Sequence, residues 1–158
     1  MLNEFNNLKP FLEENYQELG VREYARIVGI SPPTASTKLK NYARQGLLKM
    51  RTERKYLLFR ANRESRTFLE LSRIYWREKM QDLTDELKEH FDYATIVLFG
   101  SLTKLEVTNK SDIDLYVDAK SKNIDLSKFE KKYGRPIQLQ FKTKSRELLK
   151  NIEKGVEL

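Results

Sequence analysis

Two aspartates separated by one residue are the side chains of this chain best suited to chemistry. Asp112 and Asp114 lie in the run Asp-Ile-Asp-Leu-Tyr-Val, whose alternation predicts a β-strand. Because successive side chains on a strand point to opposite faces, both carboxylates fall on the same face. Two carboxylates so close repel each other unless a cation lies between them. The pair therefore predicts a Mg²⁺ site of the kind used in phosphate chemistry.

A glycine-serine pair precedes the aspartates. Residues 94–99 form an apolar run that predicts a buried strand. This run ends at Gly100-Ser101, and ten residues separate Ser101 from Asp112. A turn at the end of a strand presents backbone N–H groups, and here also a hydroxyl, to a phosphate. The pattern therefore predicts a phosphate-binding turn followed by a metal-binding strand.

Residues 94–142 resemble the nucleotidyltransferase superfamily that includes DNA polymerase beta and kanamycin nucleotidyltransferase. The family pattern is an apolar residue, Gly-Ser, about ten residues and Asp-apolar-Asp-apolar, which Gly100, Ser101, Asp112 and Asp114 fill. The likeness is closest to the minimal nucleotidyltransferases of prokaryotes. It implies that a nucleoside triphosphate (NTP) binds with Mg²⁺ or Mn²⁺, so that its α-phosphorus is positioned for attack by a hydroxyl.

The resemblance also assigns roles to single residues. It implies that Gly100, Ser101 and Lys104 bind the phosphates, and that Asp112 and Asp114 bind the metal and take part in catalysis. Active members carry a third acidic residue on a later strand, and Gln138 stands at the matching place in residues 136–141.

A glutamine forms hydrogen bonds but neither accepts a proton nor neutralises metal charge. Catalysis is therefore expected to be weak unless Asp118, Asp125 or a group from a partner replaces the missing carboxylate. Whether the protein is an enzyme stays open at this point.

The net positive charge of the chain arises from one short segment. The 158 residues contain 30 Lys and Arg against 23 Asp and Glu, which gives a net charge of +7. Residues 31–60 alone hold eight basic residues and one acid, Glu53, so the rest of the chain is neutral in sum. Such an imbalance predicts a surface for a polyanion, and the alternative is a solvated face without a partner.

The pattern around this charge predicts three helices and a hairpin. Helical spacing continues to Gly20, a second short helix covers residues 21–28, and Ser31 begins a third helix that stops at Gly46. Residues 47–51 and 55–60 then predict two strands joined by a turn at 52–54. Residues 22–61 resemble archaeal and bacterial winged-helix transcription regulators, in which the third helix enters the major groove of double-stranded DNA.

The expected DNA contacts lie on the polar face of the third helix and on the hairpin. They are Thr34, Thr37, Lys38, Lys40, Asn41, Arg44, Arg51, Arg54 and Lys55. A winged helix used only for protein contacts is the alternative.

The expected architecture is α+β. Residues 1–62 are predicted to form a winged helix-turn-helix DNA-binding domain, and residues 63–91 a helical connector of one or two helices that also serves as a dimer interface. Residues 92–158 are predicted to form a minimal nucleotidyltransferase domain with a small mixed sheet. Within it, residues 145–154 read as an amphipathic helix facing the sheet. The basic run Lys128, Lys131, Lys132 and Arg135 is interpreted as a solvated face, and the alternative is that it helps to hold nucleotide phosphates.

Composition excludes several other kinds of site. With no Cys and one His, His90, the chain can form no disulfide, thiolate zinc site, thiol nucleophile or multi-histidine metal centre. No apolar run is long enough to span a membrane and no signal peptide is recognisable, so a cytoplasmic protein without a membrane partner is expected.

Three functions fit these observations. They are an enzyme that transfers a nucleoside monophosphate from NTP to a hydroxyl, a DNA-binding regulator that binds nucleotide, and an antitoxin that pairs with a small helical toxin and represses its own operon. The regulator, acting as a homodimer, accounts best for the residues as a whole.

Overall fold

The computed structural model describes residues 2–142 and 144–158, which fold into helices and short strands. The helices are α1 (Leu2–Glu13), α2 (Val21–Val28), α3 (Pro32–Arg44), α4 (Arg66–Lys79), α5 (Gln81–His90), α6 (Ser127–Tyr133) and α7 (Arg146–Glu153). The strands are β1 (Leu19–Gly20), β2 (Leu48–Glu53), β3 (Tyr56–Ala61), β4 (Ile96–Phe99), β5 (Ile113–Val117), β6 (Ile137–Gln140) and β7 (Val156–Glu157). The predicted α+β class is confirmed.

The chain divides into two compact units. The first comprises residues up to 71 together with 106–108, and the second comprises residues 72–105 and 109–158. None of the helices within the described residues combines the length and the apolar character needed to cross a membrane.

The first unit packs α1, α2 and α3 with an antiparallel sheet in the order β1-β3-β2. Its core includes Phe11, Tyr24, Leu39 and Phe59, each fully buried. Helix α3 begins where the sequence predicts, because the Ser31 hydroxyl accepts a hydrogen bond from the Thr34 N–H and prolines occupy the first turn.

Helix α1 is shorter than predicted. It ends at Glu13 instead of continuing to Gly20, and Leu19 and Gly20 pair with Phe59 and Leu58 of β3. The buried Asn15 explains the early end: its side-chain amide donates to the Phe11 carbonyl at 2.8 Å. Its backbone N–H and its side-chain oxygen also bind the two backbone groups of Val107, each at 2.8 Å, so residues 106–108 belong to this unit.

The hairpin turn starts two residues later than predicted and is one residue shorter. Strand β2 continues through Glu53, which pairs with Tyr56, so the turn consists of Arg54 and Lys55 alone. Both have positive φ, 44° and 72°. A two-residue turn of this kind matches the right-handed twist of the strands it joins, whereas the turn predicted at 52–54 would shorten the ladder.

The second unit packs helices on a mixed sheet in the order β6-β5-β4-β7. Strand β4 pairs antiparallel with β5 and β7, whereas β5 and β6 are parallel and connected through α6. The predicted mixed sheet is therefore confirmed, but β7 was not predicted. Residues 66–90 form two helices, because Met80 leaves helical geometry between α4 and α5.

The last helix is less buried than expected. Helix α7 starts at Ser145 as predicted, yet none of its side chains is buried, and Leu149 is 38% exposed. The expectation that its apolar residues face the sheet is therefore wrong for Leu149. The turn into β7 supplies the close packing instead, since Gly155 lies against the Leu98 carbonyl where a Cβ atom would come within 2.4 Å.

Candidate functional site

Asp114 occupies the middle strand of the three that carry the candidate site. In the sheet register it pairs with Phe99 of β4 on one side and with Gln138 of β6 on the other. Along β5 the side chains of Ile113 and Leu115 are buried, and that of Asp114 between them is partly exposed. The alternation of the strand thus directs the Asp114 carboxylate away from the apolar core, as the sequence predicts.

Gly100 follows β4 directly and touches Asp114. Its φ is +77°, and a Cβ atom built on it would lie 2.3 Å from Oδ2 and 3.2 Å from Cγ of Asp114. Contacts this short are not tolerated between real atoms, so an alanine here would displace the carboxylate. The backbone of the Gly-Ser turn therefore lies directly against the second aspartate.

The turn itself is a single 3₁₀ turn, Gly100–Thr103. The Thr103 hydroxyl donates to the Gly100 carbonyl at 3.0 Å, and the Lys104 N–H donates to the Ser101 carbonyl at 3.2 Å. Ser101 is partly buried and Lys104 is exposed. These hydrogen bonds fix the turn, so that its first two residues stand beside Asp114.

The Lys104 side chain has a specific partner that the sequence did not indicate. Its Nζ donates to Oδ1 of Asn151 on α7 at 3.0 Å. Since the two residues are 47 positions apart, no local pattern could have paired them. The contact holds the ammonium group near the site, and Lys104 lowers the pKa of Asp114 through its charge.

Asp112 is partly buried and lies immediately before β5. The alternation that continues into β5 puts it on the same face as Asp114. Burial and then the charge of Asp112 raise the pKa of Asp114, and Lys104 offsets only part of this effect. An aspartate with a raised pKa lies where negative charge is unfavourable, so a cation would relieve the repulsion.

Asp112 and Asp114 are the two carboxylates that interact at this point within the described part of the chain. Gln138 lies exposed beside Asp114 on the neighbouring strand, and the described residues contain no cluster of three or more acidic or histidine side chains suited to a metal. Two carboxylates still fit Mg²⁺ or Mn²⁺, because such an ion is commonly held by one or two carboxylates together with substrate phosphates. The donor set therefore suits a metal that arrives with a nucleotide.

Neither alternative acid reaches this pair. Asp118 lies four residues beyond Asp114, about 13 Å away at the usual rise of a strand. It accepts a hydrogen bond from the Tyr116 hydroxyl and lies 3.5 Å from Nζ of Lys142. Asp125 instead accepts from the Ser127 N–H, which holds the pKa of its carboxyl below the ordinary value.

Of the basic run after residue 127, Lys128, Lys131 and Lys132 are exposed, as predicted, although two of them form ion pairs. Lys128 pairs with Glu86, and Lys132 pairs with Asp82 at 2.5 Å, so both bind carboxylates of α5. Arg135 is only 7% exposed, which contradicts the predicted solvated position. Its partners include a carbonyl and an aromatic ring, and sequence periodicity indicates neither.

The polar residues predicted on α3 are mostly exposed. Thr34, Thr37, Lys40 and Arg44 lie on the surface, and Nη1 of Arg44 donates to Oδ1 of Asn41 at 3.0 Å. The Ala35, Leu39 and Tyr42 side chains are buried on the other side of the helix, as predicted. Lys38 is partly buried and lines a groove that also contains Asn41 and Glu4.

The hairpin residues differ among themselves. Arg54 and Lys55 form the exposed tip. Arg51 instead forms a two-point ion pair with Glu18, at 2.8 Å from Nε and 2.6 Å from Nη2, and a third contact with Glu53 at 2.9 Å. Its charge is therefore largely matched by these two acids.

Comparison with known proteins finds a match for the part of the chain that carries the candidate nucleotide site. Residues 81–156 match the family model described as Polymerase beta, Nucleotidyltransferase. No curated protein and no solved structure matches the chain. The matched residues include the Gly100 turn, both aspartates, Gln138 and α7. Residues 81–156 thus carry a nucleotidyltransferase-fold domain, which supports the DNA polymerase beta-like superfamily for this part of the chain.

Proposed function

We propose that this protein is a DNA-binding regulator whose C-terminal domain binds an NTP together with Mg²⁺ or Mn²⁺. The observation that carries the nucleotide site is the contact between the Gly100 backbone and the Asp114 carboxylate. Phosphates bound by the turn would lie within reach of a cation bound by the aspartates. Such proximity is what a metal–triphosphate complex requires.

The chain's own residues have distinct tasks in this proposal. The N–H groups of Gly100 and Ser101 bind phosphate oxygens, and Lys104, oriented by Asn151, neutralises part of their charge. Asp112 and Asp114 hold the cation. A bound divalent cation would neutralise the triphosphate and orient its α-phosphorus.

Transfer of a nucleoside monophosphate is expected to be slow. In that reaction a hydroxyl oxygen of the acceptor forms a bond to the α-phosphorus, pyrophosphate leaves, and the hydroxyl proton passes to a base. Gln138 lies where a third carboxylate would stand beside Asp114, and its amide cannot accept that proton. The site therefore favours nucleotide binding over rapid turnover.

The test of this site is thermal unfolding with and without NTP and Mn²⁺. For the wild type, ligand at about 100 times its Kd should stabilise the fold by about 2.7 kcal/mol. At about 2–4 °C per kcal/mol for a chain of this size, the midpoint should rise by several degrees. Asp114→Asn should abolish the metal-dependent rise and Asp112→Asn should reduce it, whereas the exposed control Glu89→Gln should keep it.

Thermal unfolding without ligand, repeated across pH, tests the raised pKa of Asp114. Because its pKa is raised in the folded state, Asp114 favours folding below the ordinary carboxyl pKa and loses this contribution as the pH rises through the raised value. Asp114→Asn should therefore be more stable than the wild type at neutral pH, with an advantage that shrinks on acidification. In the experiment with ligand, a metal-dependent rise of the midpoint that survives in Asp114→Asn would contradict the proposed nucleotide site.

For the N-terminal unit we propose a winged helix-turn-helix that binds double-stranded DNA. Three helices followed by a hairpin, with a short strand β1 completing the sheet, support this class. The exposed polar face of α3 is suited to base edges and phosphates, and the basic tip Arg54-Lys55 to the neighbouring backbone. Residues 1–62 would then form the DNA-binding domain and residues 63–91 a connector that pairs two copies on a two-fold operator.

The salt dependence of DNA binding tests whether α3 contacts DNA phosphates. Lys40→Ala and Arg44→Ala should each weaken binding, and the slope of log K against log salt should fall by about 0.9 for each phosphate that the variant no longer binds. Arg77→Ala, which removes an exposed charge from α4 in the second unit, is the matched control and should leave the slope unchanged. Equal slopes in all four proteins would show that α3 does not bind phosphate.

Gln138 also favours a second candidate, an antitoxin that pairs with a small helical toxin and represses its own operon. A domain without turnover could be retained for pairing alone. The two candidates differ in the thermal experiment, because the antitoxin needs no metal-dependent response to NTP. A wild type that binds DNA and shows no response to any nucleotide would favour the antitoxin.

A further inference from the structure

Arg135 is a buried cation in the turn between α6 and β6. Its side chain is only 7% exposed, and its guanidinium carbon lies 5.5 Å from the ring centroid of Trp76, itself fully buried. Nη1 donates a hydrogen bond of 2.8 Å to the Ser111 carbonyl. Burial of a charge is costly, so a buried arginine is best explained by the particular contacts that it makes.

The hydrogen bond of Arg135 falls one residue before Asp112. On the other side of Asp112, the Ile113 N–H donates to the Pro136 carbonyl at 2.8 Å. Two consecutive residues, Arg135 and Pro136, thus bind the backbone immediately before and immediately after the first aspartate. Asp112 itself precedes β5, so these two contacts hold the backbone on either side of it.

We infer that Arg135 is a positioning residue that fixes the backbone at Asp112 and so aligns its carboxylate with that of Asp114. The use of this alignment for a metal rests on the function proposed above. Arginine suits the task because its broad planar guanidinium can lie over the indole and present several N–H donors in a fixed geometry, whereas lysine offers a smaller group and methionine no donor. A partner that orients a metal ligand commonly changes metal affinity by about 10- to 100-fold when it is removed.

The test compares Arg135→Met and Arg135→Lys with Lys131→Met, a control that removes an exposed cation from α6. Two readouts are needed: amide hydrogen exchange of Ile113 in the protein without ligand, and the Mn²⁺ concentration required for NTP binding. Arg135→Met should speed exchange at Ile113 by about 10-fold or more and weaken Mn²⁺ affinity by about 10- to 100-fold. Arg135→Lys should show a smaller loss, and Lys131→Met none.

A double-mutant cycle with Asp112→Asn separates positioning from general stability. If Arg135 acts through Asp112, adding Arg135→Met to Asp112→Asn should weaken Mn²⁺ binding no further. Additive losses, or loss of protection throughout the sheet instead of around Asp112, would overturn the inference. Should Arg135→Met fail to fold, unchanged exchange and Mn²⁺ affinity in Arg135→Lys would overturn it equally.

The exchange measurement keeps this inference distinct from the proposed function. If the wild type shows no Mn²⁺-dependent nucleotide binding, the proposed function fails, and Ile113 exchange alone decides whether Arg135 holds the backbone. If the wild type binds nucleotide and exchange at Ile113 is unaffected in Arg135→Met, the proposed function stands and the positioning role is wrong.

Discussion

Gly100→Ala is expected to abolish metal-dependent nucleotide binding and to destabilise the second unit. Two causes add. A residue other than glycine at φ +77° costs about 1–2 kcal/mol, and the new methyl group, 2.3 Å from Oδ2 and 3.2 Å from Cγ of Asp114, would force that carboxylate to turn aside. The midpoint temperature should fall by about 2–4 °C for each kcal/mol of destabilisation. Binding fails because the displaced carboxylate no longer shares a cation with Asp112.

Gly29→Ala is the matched control for this prediction. Gly29 has φ +76°, and a Cβ atom built there meets nothing within 4 Å, so the substitution carries the backbone cost without the clash. It should destabilise by about 1–2 kcal/mol and leave nucleotide affinity at the wild-type value. Thermal unfolding and equilibrium binding of NTP with Mn²⁺ measure both effects. Wild-type affinity in Gly100→Ala would remove the main argument for the nucleotide site.

The features that the sequence predicts well are those set by neighbours in the chain. Alternation along residues 112–117 is enough to place both aspartates on one face, and a capping serine followed by prolines is enough to start α3. The place of Gln138 beside Asp114 was expected from the family resemblance, and the parallel register of β5 and β6 puts it there.

The features that the sequence does not predict depend on distant contacts. The helical pattern of α1 continues past Glu13, and only the contact between Asn15 and Val107, 92 residues apart, shows why the helix stops. Arg135 reads as one more surface cation until its carbonyl and indole partners are known. Strand β7 has two residues, too few for an alternation to be recognised.

Gln138→Asp is expected to increase turnover, measured as Mn²⁺-dependent release of pyrophosphate from NTP, by about 100-fold or more. The substitution places a carboxylate in register with Asp114 on the adjacent strand, where it can take the proton of the attacking hydroxyl and share the metal charge. General-base catalysis commonly contributes about 10²–10⁴-fold, and the lower end suits a site that has not been adjusted to the new group.

The same substitution should destabilise the protein without ligand. A further negative charge beside Asp114 adds to the burial and the repulsion by Asp112 that already raise the pKa of Asp114. Because carboxyls with raised pKa values favour folding only while protonated, the destabilisation relative to the wild type should be largest at neutral pH and shrink on acidification. Mn²⁺ with NTP should reverse it, giving a larger thermal shift than in the wild type.

Gln140→Asp separates the position of the new charge from its presence. Gln140 is exposed on the same face of β6 as Gln138 but pairs with Tyr116, about 7 Å farther along the strand, beyond the reach of a cation at the aspartates. It should leave pyrophosphate release at the wild-type rate and destabilise the protein less.

If the wild type already releases pyrophosphate quickly and Gln138→Asp is slower, the base lies elsewhere and Gln138 does not replace a carboxylate. If both variants gain equally, added negative charge alone accounts for the effect, and the register of Asp114 and Gln138 has no catalytic meaning.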